Sequence, residues 1–226
     1  MKEDLITYLE NFITENRKKT IEKVLNQRTR YITVVLEDLF QPHNASAVLR
    51  TCDCFGIQDI HIIENRNEYQ INPDVVVGSH KWLTMYKYNM EENNSLSTVK
   101  KLKKQGYRII ATTPGHKSLT LNNIDIHKGK MALLFGTELR GLSDQILEVS
   151  DEFLHIPMVG FTKSFNISVS AAIILYELTK KLRQSDCDWK LSHEEKQILK
   201  TEWLKNNIKN SEMLINNFIR QKETGR

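Results

Sequence analysis

The stretch Ile156-Pro157-Met158-Val159-Gly160-Phe161-Thr162-Lys163-Ser164-Phe165-Asn166-Ile167-Ser168-Val169-Ser170-Ala171-Ala172 decides how this chain is read. It opens on the end of a short apolar strand, Phe153 to Ile156. Pro157 stops the strand, because proline has no N–H to give to a neighbour. Ser164, Asn166 and Ser168 then stand just ahead of an apolar helical run, where side-chain oxygens can take up the free N–H groups of a first turn. The same turn can present amide donors to a ligand. Taken alone, it is equally an ordinary capped junction between strand and helix.

Outward from that stretch the chain alternates. Residues 3–26 read as helix, with Leu5, Leu9, Phe12 and Ile13, then Ile21, Val24 and Leu25, at helical spacing. Tyr31 to Leu39 holds the β-branched run I-T-V-V-L of a buried strand. After the turn Gln41-Pro42-His43-Asn44, with Asn44 as expected N-cap, a helix runs until Gly56 closes it. Strands are expected at Ile57–Ile63, Thr84–Tyr88, Tyr107–Thr112, Met131–Phe135 and Phe153–Ile156. Helices are expected around residues 72–80, at Val99–Lys104, after Ser143 and at Ser168–Arg183. The fold class is therefore α/β with a mostly parallel, doubly wound sheet, and ligands belong at the carboxyl ends of its strands.

Three polar loops follow three different strands at that edge. One carries Asn44 and Arg50, the second Gly136, Thr137, Glu138 and Gly141, and the third Ser164, Phe165, Asn166 and Ser168. No G-x-G-x-x-G and no G-x-x-x-x-G-K-[ST] occurs, which disfavours common dinucleotide and P-loop enzymes.

Composition narrows the choice further. The 226 residues are 40% apolar, enough for one substantial domain with appendages. No apolar run is long enough to span a bilayer and the first residues show no secretory core, so a cytoplasmic protein without membrane partner is expected. Cys52, Cys54 and Cys187 read as reduced thiols. Cys52 and Cys54, two apart on a helix, make a poor ligand pair, and no metal is expected. The net charge of +4 is small, but Arg17, Lys18, Lys19, Lys23, Arg28 and Arg30 crowd one arm. That stripe suits either phosphate tracking or a solvated helix face.

The segments N-A-S-A-V-L-R-T-C-D-C-F-G, L-L-F-G-T-E-L-R-G-L-S and I-P-M-V-G-F-T-K-S-F-N-I-S-V-S-A-A resemble, in the family's order, the three motifs of SpoU-type RNA ribose 2′-O-methyltransferases of the SPOUT class. The resemblance covers roughly residues 31–184. It implies a sheet whose C-terminal segment, about 131–184, is threaded into a deep trefoil knot, which no periodicity argument reaches. It implies S-adenosylmethionine as cofactor, with Thr112, Gly136, Ile156, Met158 and Phe165 lining its pocket. Apolar Ile156 and Phe165 suit a flat ring, though such residues are often plain core.

The resemblance gives Arg50 the central catalytic role, with Asn44, Glu138, Ser164 and Asn166 completing the polar set. A guanidinium stays protonated in nearly all protein settings, so Arg50 suits a phosphate clamp and alkoxide stabiliser better than a base. His43 and His155 are not positions that the motifs use.

Helical extensions at both ends, 1–30 as an RNA-binding arm and 185–226 behind, flank the expected 31–184 domain. In the tail, Ile198, Trp203 and Leu204 are the expected apolar anchors. These extensions resemble the TrmH branch, which methylates the D-loop guanosine at tRNA position eighteen. The implied partners are tRNA, with Arg17, Lys18, Lys19, Arg28 and Arg30 on phosphates, and a second subunit packed through the knot. An enzyme acting on ribosomal RNA and a non-catalytic RNA-binding relative are the alternatives. Retention of all five polar residues argues against the second.

Overall fold

In β1 (Ile32–Glu37) all six residues are buried. A strand covered on both faces is expected to be mostly apolar, as β1 is apart from Thr33 and Glu37, and a parallel sheet between two helical layers gives that cover. The computed structural model describes residues 2–39, 41–70, 72–76, 78–114 and 118–223. Within them β1 is joined by β2 (Asp59–Ile63), β3 (Thr84–Tyr88), β4 (Arg108–Thr112), β5 (Leu119–Thr120), β6 (Met131–Phe135) and β7 (Glu152–His155). Their order is β3-β2-β1-β6-β4-β7-β5, and every neighbouring pair is parallel.

The helices are α1 (Lys2–Glu10), α2 (Glu15–Leu25), α3 (Pro42–Phe55), α4 (Pro73–Val76), α5 (Asn94–Lys104), α6 (Asp144–Val149), α7 (Ile167–Gln184), α8 (His193–Asn207) and α9 (Ser211–Glu223). Contacts divide the chain into two units, Thr29–Trp189 and a second made of Met1–Arg28 with Lys190–Arg226.

In the sheet unit, side chains of β1 alternate between two cores. Val34 and Leu36 join Val48, Leu49 and Cys52 of α3 and Ile174, Leu175 and Leu178 of α7. Val35 joins Val99 and Leu102 of α5 and Ile146 of α6. Cys54 is exposed while Cys52 is buried, as opposite helix faces require. Gly56 ends α3 in the left-handed conformation, φ 77°, where glycine has no Cβ clash.

Several sequence expectations shift. Helix 3–26 is broken, because Thr14 caps a new start at α2 by accepting from the Arg17 N–H. Gln41, not Asn44, is the N-cap of α3; Asn44 lies inside the first turn with its side chain engaged elsewhere. Helix α5 starts five residues before Val99, since the Asn93 carboxamide caps it through the Leu96 N–H. The expected helix at 72–80 is a short α4 followed by a 3-10 turn, Ser79–Trp82, with Val77 outside the described residues. Strand β5, only two residues long, carries no readable alternation.

In the helical unit, α1, α2, α8 and α9 pack together. The two end segments expected as a separate arm and extension are thus parts of one unit. Ser192 and Glu195 form a reciprocal capping box at the start of α8. Trp203 and Leu204 are buried as expected, but Ile198 is 41% exposed and its neighbour Leu199 takes the inner position. Arg28, only 1% exposed, lies 5.3 Å from the Trp203 ring centroid. A side chain so enclosed cannot reach a phosphate, which removes Arg28 from the expected RNA contacts. Among the described residues no helix is long and apolar enough to cross a membrane.

His61 of β2 is buried, stacked 4.9 Å from Tyr86 and bonded through Nδ1 to the Tyr88 hydroxyl at 2.9 Å. Burial, with Lys101 nearby, lowers its pKa from 6.5 to about 4. The unfolded chain therefore binds a proton that the native protein refuses across that window, so stability falls as pH drops through it. Denaturant titrations between pH 7 and pH 4 should show that decline, and His61→Gln should flatten it. An identical slope in both proteins rules His61 out as the cause.

Candidate active site

The chain lays β1, β2 and β3 outward in one direction, then crosses back, and β6 is inserted between β1 and β4. This is the switch point at which open α/β sheets bind ligands, beyond the carboxyl ends of their strands. The loop after β6 sits there. Thr137 and Gly141 exchange backbone hydrogen bonds of 3.0 and 2.9 Å across it, and Gly141 has φ 70°. A Cβ built on Gly136 would lie 2.1 Å from the backbone carbon of Gly141. Glycine is required there because one backbone passes directly over the other.

That tight loop lifts Glu138 to a meeting of all three motifs. Glu138 Oε1 accepts from Asn44 Nδ2 at 2.9 Å and from Asn166 Nδ2 at 2.5 Å. Asn166 Nδ2 also donates to Asn44 Oδ1 at 3.1 Å. Asn44 spends its other amide hydrogen on Gln41 Oε1 at 2.8 Å, a partner that sequence reasoning missed. Asn166 Oδ1 caps α7 through the Ser168 N–H and hydroxyl. The side chains of Asn44 and Asn166 are therefore fixed by the starts of α3 and α7.

Beside this cluster lies a cavity of about 340 Å³ over the ends of β4, β6 and β7. Its lining includes Thr112, Gly136, Ile156, Met158 and Phe165, together with Glu138 and Ser164. All five residues expected around a cofactor thus share one hollow. Its size falls within the roughly 300–1,000 Å³ common for small-molecule sites. The Thr112 hydroxyl is tied to the Leu134 carbonyl at 2.7 Å, fixing that wall. Apolar Leu154, Ile156 and Phe165 beside exposed loop backbone fit an adenosine that carries a sulfonium, with no phosphate to neutralise. His155, set aside on sequence grounds, also lines the hollow and bonds Ser118 at 2.8 Å. Its position at a strand end was the available signal.

Arg50 does not join the cluster within one chain. It is exposed, lines neither this hollow nor the larger one beside it, and sits six residues beyond Asn44 on α3, a helical advance of about 9 Å. Of the expected phosphate contacts, Arg17 and Lys19 are exposed, and Lys18 pairs with Glu15 at 2.5 Å. Arg30 is held by Asp59 through Nε at 3.0 Å. Away from the cavity lining, His127, Asp186 and Cys187 bring three potential ligand atoms within 4.8 Å of one another. The thiol–imidazole contact there is 3.5 Å.

Three motif loops gathered around one polar cluster and one hollow define a class, and comparison with known proteins gives it a name: the chain belongs to the SpoU rRNA Methylase family, whose model matches residues 31–176. A tRNA (guanosine(18)-2′-O)-methyltransferase of Borreliella burgdorferi is 45% identical over 93% of this chain and 94% of its own length. Among solved structures, an A. aeolicus TrmH/SpoU tRNA modifying enzyme superposes with TM-score 0.75 at 32% identity, covering 86% of this chain and 98% of that one. The SpoU methyltransferase AviRb from Streptomyces viridochromogenes, solved with AdoMet, shares the fold at TM-score 0.60 and 21% identity, over 72% of this chain and 62% of that one.

Replacing Gly136 by Ala should destabilise the protein by about 1–3 kcal/mol, the usual cost of forcing atoms into a packed site. Gly160→Ala, where nothing lies within 4 Å of the added Cβ, is the control. Calorimetry should show a lower unfolding temperature for the first only; equal temperatures would refute the close-approach argument.

Proposed function

We propose that this chain transfers a methyl group from S-adenosylmethionine to the ribose 2′-hydroxyl of guanosine 18 in the tRNA D-loop, as a cytoplasmic homodimer. The observation that carries this reading is the Asn44–Glu138–Asn166 hydrogen-bonded cluster at the lip of the hollow lined by Thr112, Gly136, Ile156, Met158 and Phe165. The likeness to a tRNA (guanosine(18)-2′-O)-methyltransferase over 93% of this chain supports the choice of nucleotide. The fold likeness also supports the trefoil knot over about 131–184.

Bound in the hollow, the cofactor supplies an electrophilic methyl group on sulfur. The chain's own task is to place a poor nucleophile in line with it. Glu138 and Asn166 hold the lip rigid, and Ser164 adds a hydroxyl on the same side. Glu138 Oε2, with no hydrogen-bond partner among the described residues, is left to take the acceptor's proton in this reading. Arg50 acts across the dimer in this reading. Its exposed guanidinium clamps the phosphate beside the target ribose in the second subunit's site and offsets the developing alkoxide charge. Arg17, Lys18 and Lys19 orient the tRNA through its backbone without reading bases.

Purified protein with labelled S-adenosylmethionine and total tRNA, followed by nucleoside mapping, should put label on a D-loop guanosine ribose. Label on ribosomal RNA alone overturns the substrate. Asn166→Ala and Arg50→Ala should each lower kcat by about 10²–10³, the usual cost of one preorganised electrostatic group, while equilibrium dialysis still detects cofactor binding. Mixing the two variants should restore activity through heterodimers with one intact site. No recovery on mixing refutes action across the dimer.

A further inference from the structure

A second, larger cavity of about 760 Å³ shares residues 137–141 and Ile167 with the first. It spans the carboxyl ends of β1, β2 and β6, lined by Asn65, Arg66, Asn67, Asn93, Asp144 and Gln145 among others. The two hollows thus meet at Glu138 and the loop after β6.

The floor of this cavity is tied together. The buried Glu37 carboxylate accepts from the Ser95 hydroxyl at 2.5 Å and from the Ser143 N–H and hydroxyl at 2.8 and 2.7 Å. Ser95 in turn accepts from Asn65 Nδ2 at 2.8 Å. One chain of hydrogen bonds therefore runs from Asn65 through Ser95 and Glu37 to Ser143 on the opposite wall.

The rim is built with equal care. Asp38 holds a left-handed backbone, φ 53°, which disfavours a residue with a Cβ and is retained where surrounding structure enforces it. Its carboxylate accepts from the N–H groups of Asn65, Arg66 and Asn67 at 2.7, 2.8 and 3.4 Å. Asn67 Nδ2 donates back to the Asp38 carbonyl at 2.9 Å. The turn 65–67 is pinned, and it presents the exposed guanidinium of Arg66 on the lip of a hollow lined by carboxamides and carboxylates, of which Glu37 and Asp38 are taken up by the bonds above. A planar cation on a fixed turn suits a phosphate. Carboxamides such as Asn67 and Gln145 suit the hydrogen-bonding edge of a base.

Resting on the methyltransferase reading, we propose that this cavity seats the acceptor nucleotide, with Arg66 on its flanking phosphate and the base among Asn67 and Gln145. The donor and acceptor sites then stand on either side of Glu138.

Two variants test this against the wild-type enzyme, and neither side chain is part of the core: Arg66→Ala removes the clamp, and Gln145→Trp fills the hollow. Each should raise the KM for tRNA about tenfold and leave the dissociation constant for S-adenosylmethionine unchanged. Arg66→Lys should recover part of the loss. The salt dependence of tRNA affinity should fall by about one phosphate contact in Arg66→Ala. An unaltered KM for tRNA in both variants, or an unaltered salt slope in Arg66→Ala, overturns the proposal. Binding measured without cofactor keeps this question separate from the reaction. A wild-type protein that binds tRNA but transfers no methyl sinks the proposed function, whereas wild-type turnover with indifferent variants sinks only the acceptor site.

Discussion

A single carboxylate oxygen, Oε1 of Glu138, accepts from carboxamides at the starts of two helices, α3 and α7. Everything else in the sheet unit serves to bring those donors to it. The central strands β2, β1 and β6 are wholly buried and fix the sheet. Insertion of β6 between β1 and β4 sets its loop beside both neighbours' loops. Gly136 then lets backbone cross backbone closely at the base of the loop that carries Glu138. Carboxamide and carboxylate are complementary in hydrogen-bonding type, and Asn44, one partner, is almost shielded from water, where a polar group left unsatisfied is costly.

Much of this was readable in the sequence. The β-branched run Ile32–Leu36, apolar but for Thr33, and the unbroken apolar run Met131–Phe135 read as strands covered on both faces, and they are. Gly56 marked its helix end through a conformation that other residues resist. Asn44, Glu138, Ser164 and Asn166, though not Arg50, converge because parallel strands deliver their loops to one edge. What escaped was set by contacts distant in sequence. Asn44 looks like a helix cap from its neighbours alone, and only Glu138 and Asn166 give its side chain another use. Basic residues read alike whether solvated or buried; Arg28 is enclosed beside Trp203 and Arg30 is claimed by Asp59, for reasons lying far along the chain.

The arrangement also explains how one loop serves two neighbouring hollows. Residues 137–141 form part of both linings. A wall made of backbone bonded to itself, between Thr137 and Gly141, is thin and stiff at once. The Glu37 network anchors the far end of the same loop through Ser143, so both ends of the partition are held.

The helical unit draws on both extremes of the chain, with Arg28 from one against Trp203 from the other. Synthesis proceeds in one direction and domains generally fold as units. The sheet unit, contiguous from Thr29 to Trp189, has all its strands available before α8 and α9 are made. Helices α1 and α2 precede the sheet unit in the chain, yet the unit that buries Ile21 and Leu25 also needs α8 and α9 beyond that sheet, so a segment made before the sheet is completed only after it.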